Sequence, residues 1–139
     1  MIKIYSKVEP TKLLHITNRP IGNAGRIDIA PEEQFLQLAL LNVQKGRVFK
    51  AHKHIWKAPS YDQVIAQESW VILRGRVKIY LYDIDDSFIE TVILGPGDCS
   101  MTFEGGHSYE ILEDNTQVYE YKTGPYLGQK LDKVFLENL

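Results

Sequence analysis

Cysteine is almost absent from this sequence of 139 residues: Cys99 is the only one, so no disulfide can form within the chain. This excludes a disulfide-stabilised scaffold and favours a reducing compartment, so a cytoplasmic location is expected. The remaining composition, 44% hydrophobic and 24% charged residues, is ordinary for a globular protein. A chain of this length is expected to form a single domain with a core of its own.

An excess of charge and long apolar runs are also lacking. The net charge is −2, and the nearest approach to a basic block, "RGRVK" at Arg74–Lys78, is typical of a turn. A nucleic-acid partner or an anionic membrane surface is therefore not expected. No segment approaches the roughly 20 apolar residues that span a bilayer, and the start, "MIKIYSKVEP", does not have the pattern of a signal peptide.

Short strands separated by turn signals dominate the pattern, and no long helical periodicity is found. The sequence therefore predicts an all-β fold, a sandwich or a barrel. Within one domain covering 1–139, residues 1–33 are expected to form N-terminal strands and turns, residues 34–122 the barrel, and residues 123–139 a tail.

Three turns are predicted to join neighbouring strands. Arg74–Gly75 would close a hairpin within "WVILRGRVKIYLYD", because glycine readily adopts a positive φ. Ile84–Asp86 would lead into the strand "FIETVILGPGD", and Asp114–Asn115 would pair "HSYEILED" with "TQVYEYK". Val77, Ile79 and Leu81 alternate with polar or aromatic residues and should face a core.

The stretch "QFLQLALLNV", residues 34–43, is apolar on both parities. A strand with two apolar faces must be covered on both sides. In a small β protein the outer cover is often a second subunit, so we expect a homodimer.

Two histidines and a glutamate form a candidate metal site. In a strand, His52 and His54 would point to the same face, with Lys53 opposed. Glu68 follows after thirteen residues and shares its parity with apolar Trp70, so its carboxylate would point inward and need a partner. Imidazole nitrogen suits Zn, Fe, Mn or Ni, so a divalent metal is the expected cofactor.

A third imidazole is available from His107, which begins a strand after Gly105 and Gly106. Each of these four residues also has a simpler interpretation that stays open. The first two histidines could be a solvated pair, the glutamate could be a surface acid, and the third histidine could be a turn residue. His15 has no partner nearby in the sequence and is expected to be structural or exposed, and Cys99 is expected to be a buried, inert thiol.

Other side chains are candidates for chemistry or binding. Tyr109 and Glu120 could serve in acid–base roles, although core tyrosines are often only hydrogen-bonded. In the insert between His54 and Glu68, Trp56 and Tyr61 could stack on a sugar ring or a base, with Lys57 beside them. They could equally pack the loop against the barrel or a partner.

The spacing Gly46-x5-His52-x-His54-x13-Glu68-x6-Gly75 resembles the first motif of the cupin family, although the family usually keeps the gap between His54 and Glu68 to three or four residues. "LGPGDCSMTFEGGH" resembles the second motif. It departs from that motif in having Phe103 where proline is usual, and Ile111 stands where an asparagine is often found. The resemblance covers roughly residues 35 to 122 and is closest to small WbuC-like cupin metalloproteins, which are associated with surface-polysaccharide and lipopolysaccharide biosynthesis.

This resemblance implies a double-stranded β-helix, or jelly-roll barrel, with a metal at one mouth. The ligands it implies are His52, His54, Glu68 and His107. It implies a metal-dependent enzyme, an isomerase or epimerase acting on a sugar or sugar nucleotide. The alternatives are an Fe(II) dioxygenase, a non-catalytic sugar-binding module and a metal-free ketoisomerase.

Overall fold

The computed structural model describes residues 1–21, 25–55 and 65–136. These residues form ten strands and one short 3₁₀ helix, Gln129–Leu131. The strands in chain order are β1 (Ile2–Tyr5), β2 (Leu13–Asn18), β3 (Arg26–Asp28), β4 (Ala39–Leu41), β5 (Glu68–Arg74), β6 (Val77–Tyr82), β7 (Phe88–Leu94), β8 (Cys99–Thr102), β9 (Gly106–Ile111) and β10 (Gln117–Lys122).

The strands form three antiparallel sheets. The largest contains five strands in the order β1-β2-β8-β5-β10, the second contains three in the order β7-β6-β9, and β3 pairs with β4 alone. From β5 onward the chain passes repeatedly between the two larger sheets, and only β6 and β7 are consecutive strands that pair.

A first core lies between the five-stranded and the three-stranded sheets. Ile72 of β5 meets Val77, Ile79 and Leu81 of β6, and all four side chains are fully buried. The alternation predicted for β6 is confirmed, because the intervening Lys78 is only partly buried. Each fully buried aliphatic side chain contributes about 1.5–3 kcal/mol relative to exposure, so this core holds the two sheets face to face.

A second core covers the opposite face of the five-stranded sheet. Ile16 of β2 and Met101 of β8 are fully buried there, next to Phe103. The chain segment before and within β4 covers these residues with its leucines, which are Leu36, Leu38 and Leu40. The five-stranded sheet is therefore the central layer of the molecule.

The stretch 34–43, predicted to be one long strand, is strand only at Ala39–Leu41, which pairs with β3. Upstream, the main-chain N–H of Leu36 donates to the side-chain oxygen of Gln67 at 2.8 Å, instead of to a neighbouring strand. The inner leucines pack on the second core of their own chain. The homodimer stays a prediction.

Two of the predicted hairpins are wrong. β5 pairs with β8 and β10, whereas β6 pairs with β7 and β9, so the turn at Gly75 crosses between sheets. The turn after β9 does the same. The two strands that each turn joins face each other across the first core, so their apolar sides are buried. The local sequence cannot distinguish this arrangement from edge-to-edge pairing, because both bury one apolar side of each strand. Gly75 has a φ of 82°, and a Cβ there would lie 2.2 Å from Thr116 Oγ1.

The predicted turn at Ile84–Asp86 does join paired strands, β6 and β7. The N–H of Asp83 donates to the carbonyl of Ser87 at 2.8 Å, and Asp86 has a φ of 66°. Buried Asp83 also accepts hydrogen bonds from Ser6 Oγ at 2.6 Å and from the N–H groups of Lys7 and Ile84. One carboxylate thereby ties this turn to the turn between β1 and β2.

The all-β class is confirmed, since the described residues contain no α-helix. Their sheets do not close into a barrel, so the double-stranded β-helix stays a prediction, as does the division into arm, barrel and tail. Within 1–21, 25–55 and 65–136, no helix has the length and apolar character needed to cross a membrane.

Candidate functional site

Glu68 and His107 meet in the space between the two larger sheets. Glu68 begins β5 and His107 lies near the start of β9, and the distance from Glu68 Oε1 to His107 Nε2 is 3.2 Å. Glu68 is only 7% exposed, which agrees with the expectation that its carboxylate points inward. These two predicted ligands are thus brought together by strands from different sheets.

Glu68 has two further partners. Trp70 Nε1–H donates to Oε1 at 3.1 Å, and Lys122 Nζ lies 3.8 Å from Oε2. Burial by itself raises the pKa of this carboxyl, but the hydrogen bond and charge of His107 and the positive charges of Lys122 and Lys133 outweigh burial and hold the pKa below its usual value. Glu68 is therefore an ionised, buried carboxylate, the form that a metal ion requires.

Register decides which face of β10 reaches this site. Lys122 is opposite Glu68 and Glu120 is opposite Trp70, so both point toward the site. Tyr121, opposite the residue after Glu68, points to the other face, as does the tyrosine two residues before it.

Glu120 lies at the rim of the site. Its Oε2 accepts a hydrogen bond from Trp70 Nε1 at 3.2 Å, and 47% of its side chain is exposed. Trp70 thus shares one N–H between two carboxylates, those of Glu68 and Glu120. The half-exposed carboxylate of Glu120 is thus held beside the buried one of Glu68 and remains accessible from the rim.

Lys122 connects the site to the C-terminal segment. Its Nζ lies 2.9 Å from Asp132 Oδ2, and the hydrogen bond to Asp132 is the main reason that the pKa of this lysine is raised. The lysine also lies over the ring of Tyr126, with Nζ 4.6 Å from the ring centroid. Lys122 is thereby held as a cation beside Glu68.

Tyr109, predicted as a catalytic candidate, is held firmly in the core. Its ring stacks on Trp70 with 3.9 Å between centroids and 6° between planes. Its hydroxyl is hydrogen-bonded to Ser100 Oγ at 3.0 Å, and burial raises its pKa well above the usual range. This geometry makes Tyr109 a support for Trp70, and no observation places its hydroxyl on a bound molecule.

His15 is structural, one of the two interpretations left open by the sequence. It is fully buried, with Nδ1 3.1 Å from Thr102 Oγ1 and Nε2 3.1 Å from the carbonyl oxygen of Tyr82. The carbonyl can only accept, so Nε2 carries the proton and Nδ1 accepts from the threonine. Burial lowers the pKa of His15 to about 4, so the ring is neutral.

Cys99, the first residue of β8, is 5% exposed. Burial raises the pKa of its thiol to about 11, which keeps it protonated and unreactive. This agrees with the buried, inert thiol expected from the sequence.

His52 and His54 lie close to each other, with ring centroids 5.4 Å apart and planes at 76°. Both are exposed, and His52 Nδ1 lies 2.9 Å from the carbonyl of Lys50. The strand predicted around them is wrong: residues 47–55 are not part of any strand. None of the described strands pairs with this segment, and an unpaired extended segment gains no ladder of hydrogen bonds.

The four predicted ligands therefore form two pairs, His52 with His54 and Glu68 with His107. Among the described residues, no group of three or more His, Cys, Asp or Glu side chains is arranged to hold a metal ion. The donor set itself fits a borderline divalent metal. His107 Nδ1 is buried and has no hydrogen-bond partner within that part of the chain, so one imidazole nitrogen beside Glu68 has unused bonding capacity.

The predicted substrate-binding residues Trp56, Lys57 and Tyr61 lie outside the described residues. Two contributors to the site, Lys122 and Trp70, are not predicted from the sequence. Trp70 shares the parity of Glu68, but an indole at that position was interpreted as apolar core and not as a hydrogen-bond donor.

Comparison of the chain with protein-family models, with curated proteins and with solved structures found no match.

Proposed function

We propose that this protein is a metal-binding cupin that acts on a sugar or sugar nucleotide as an isomerase or epimerase in surface-polysaccharide biosynthesis. The observation that carries the proposal is the contact between Glu68 and His107, 3.2 Å apart and contributed by different sheets. The two residues are 39 positions apart in the sequence, and they belong to different ones of the two cupin-like motifs.

The order of the strands supports a jelly roll. β5 lies between β8 and β10 in one sheet, and β6 lies between β7 and β9 in the other. Double-sheet jelly rolls interleave consecutive strands between two facing antiparallel sheets in this way, and cupins are among them.

The histidine pair has a place to join the site. Among the described strands, β9 pairs on one side only, with β6, so its other edge is free beside His107. In the proposal, metal binding brings the exposed segment that carries His52 and His54 to that edge, with the two imidazole rings already side by side. The proposed metal then completes a site whose ligands otherwise remain in two pairs.

Such a metal would act as a Lewis acid toward a sugar carbonyl or adjacent hydroxyls. Trp70 would fix the orientation of Glu68 through its indole N–H, and Tyr109 would hold Trp70 by stacking. Glu120, at the rim and half exposed, is the better of the two predicted acid–base residues, because the Tyr109 hydroxyl is already bonded in the core. Lys122 would balance the charge of the buried carboxylate.

Metal analysis of purified protein tests the proposal. Glu68→Gln and His107→Gln should each lower the content of Zn, Fe, Mn or Ni sharply, and His52→Gln with His54→Gln should do the same. Glu110→Gln, also on β9 but exposed, is the matched control and should retain metal. Metal content equal in all variants, or no metal in wild-type protein purified without chelator, would refute the metal site.

Turnover assays then test the reaction. A panel of nucleotide-linked and free sugars should show isomerisation or epimerisation that is lost in Glu120→Gln while its metal content is unchanged. Oxygen consumption by the Fe(II)-loaded protein would instead support the dioxygenase alternative. Metal-dependent sugar binding without turnover would support the non-catalytic module.

A further inference from the structure

A cleft lies on the face of the five-stranded sheet opposite to Glu68. It has a volume of about 300 Å³. Its walls are contributed by β5, β10 and the segment before β4, and its lining residues are Leu36, Gln37, Leu38, Ser69, Val71 and Tyr121. No charged side chain is among them, so the cleft is suited to a neutral molecule.

Ser69 is the unexplained feature of this cleft. The residue is 1% exposed, and its Oγ is buried without a hydrogen-bond partner among the described residues. A buried polar group left unpaired costs about 1–3 kcal/mol. An alanine here would avoid that cost, so the hydroxyl is disfavoured unless something binds to it.

The polar groups around Ser69 leave few internal partners. The amide nitrogen of Gln37 is already bonded to the carbonyls of Pro31 and Gln34, at 2.9 and 2.5 Å. Tyr121 lies directly across the strand pair from Ser69, and 51% of it is exposed. A small rotation of this half-exposed ring would open the hydroxyl of Ser69 to the cleft.

We propose that this cleft binds a small, neutral, largely apolar molecule that carries one hydroxyl or carbonyl group, which hydrogen-bonds to Ser69 Oγ. A 150 Å³ apolar cavity holds benzene, so this cleft holds about a dozen non-hydrogen atoms. A flat aromatic or short aliphatic body would lie between the leucines and the ring of Tyr121. The site is separate from the Glu68–His107 site, because residues 68 and 69 point to opposite faces of β5.

The test uses 1-naphthol and naphthalene, which differ by a single hydroxyl. Both are titrated into the full chain by two-dimensional ¹H–¹⁵N NMR, with a chelator present so that the proposed metal plays no part. We expect 1-naphthol to bind with shifts centred on residues 36–38, 69–71 and 121. We also expect its affinity to exceed that of naphthalene about 3- to 10-fold, the contribution of one hydrogen bond.

Variants separate the role of the hydroxyl from that of the cavity. Ser69→Ala should abolish the preference for 1-naphthol but leave naphthalene binding unchanged, and its thermal midpoint should be equal to or above that of wild type, because no bond is lost. Ser69→Cys, with a weak donor of similar shape, should retain part of the preference. Ser108→Ala, an exposed serine on β9, is the control and should change neither measurement.

Four results would overturn the proposal. One is the absence of binding by either probe, and another is a preference for 1-naphthol that persists in Ser69→Ala. The third is a homodimer in solution whose formation is abolished by Tyr121→Glu and whose dissociation accompanies probe binding, because the cleft would then belong to a subunit interface. A thermal midpoint clearly lowered in Ser69→Ala would also count against it, since the hydroxyl would then have a structural partner.

Discussion

The neutral, buried His15 predicts a specific loss of stability in acid. Burial lowers its pKa from 6.5 to about 4, with the charge of His107 adding to the effect and the Tyr82 carbonyl and Asp83 opposing it. Since the folded pKa lies below the unfolded one, the unfolded state binds the proton first as the pH falls. The stabilisation is therefore complete above about pH 6.5 and is lost as the pH approaches 4.

The size of the effect follows from the shift. Two and a half pKa units at 1.36 kcal/mol each limit the loss to roughly 3.4 kcal/mol, of which about 2 kcal/mol is lost by pH 5 and about 3 kcal/mol by pH 4. For a domain whose total stability is about 5–15 kcal/mol, this is a large fraction. Protonation would also remove the acceptor at Nδ1, where Thr102 Oγ1 is bonded at 3.1 Å.

Urea unfolding from about pH 7 to about pH 4 measures this loss in wild type and in His15→Gln, with a chelator present. His15→Gln should be less stable at neutral pH but should have a flatter pH profile, so the two curves converge in acid. His54→Gln, at an exposed histidine, should give a profile parallel to that of wild type. NMR titration of the His15 ring protons provides a second measurement that needs no variant.

Parallel pH profiles for wild type and His15→Gln would refute the argument. So would ring protons of His15 that titrate near pH 6.5 in the folded protein, because that midpoint would mean that folding places no penalty on the charged ring.

Three further predictions follow from individual contacts. Asp83→Ala should destabilise the protein by about 2–4 kcal/mol in urea unfolding, since it leaves buried donors unpaired. Burial raises the pKa of the Asp83 carboxyl, but its hydrogen bonds outweigh burial and lower the pKa below the usual value. The stabilisation by Asp83 is therefore present above about pH 4 and should disappear as the pH falls further. Trp70→Phe keeps a stacking ring but removes the N–H that is bonded to Glu68. It should weaken metal binding about 10- to 100-fold in competition titrations, with little loss of thermal stability. Unchanged metal affinity would contradict the role of Trp70 in positioning Glu68. Gly75→Ala should lower the thermal midpoint strongly because of the positive φ and the clash at Cβ, whereas Gly95→Ala, where a Cβ meets nothing within 4 Å, should have a small effect.

The sequence predicted individual strands better than it predicted their pairing. The alternation of Val77, Ile79 and Leu81 identified β6 and its buried face correctly, because a two-residue period depends only on which side is apolar. The turn at Gly75 was assigned to a hairpin, yet glycine with positive φ serves equally well where the chain crosses to a facing sheet. Strand partners are set by contacts distant in sequence, which a local pattern does not contain.

The candidate site shows the same division. The inward direction of Glu68 followed from parity with its apolar neighbours, and its contact with His107 is in the structure. Lys122 and Trp70 were missed because their importance comes from the register between β5 and β10. The side-by-side arrangement of His52 and His54 is present, but the strand inferred for them is not, since a strand needs a neighbour that the motif does not specify.

Strand β5 is covered on both sides, and this makes its alignment unusually well determined. A slip of one position against β8 and β10 would exchange the surroundings of residues 68 and 69, forcing an ionised carboxylate among the leucines and leaving a serine beside the imidazole of His107. Both errors are costly at once, so misaligned folding intermediates should be scarce. The same argument explains why insertions or deletions within β5 should be tolerated far less well than in the turns at its ends.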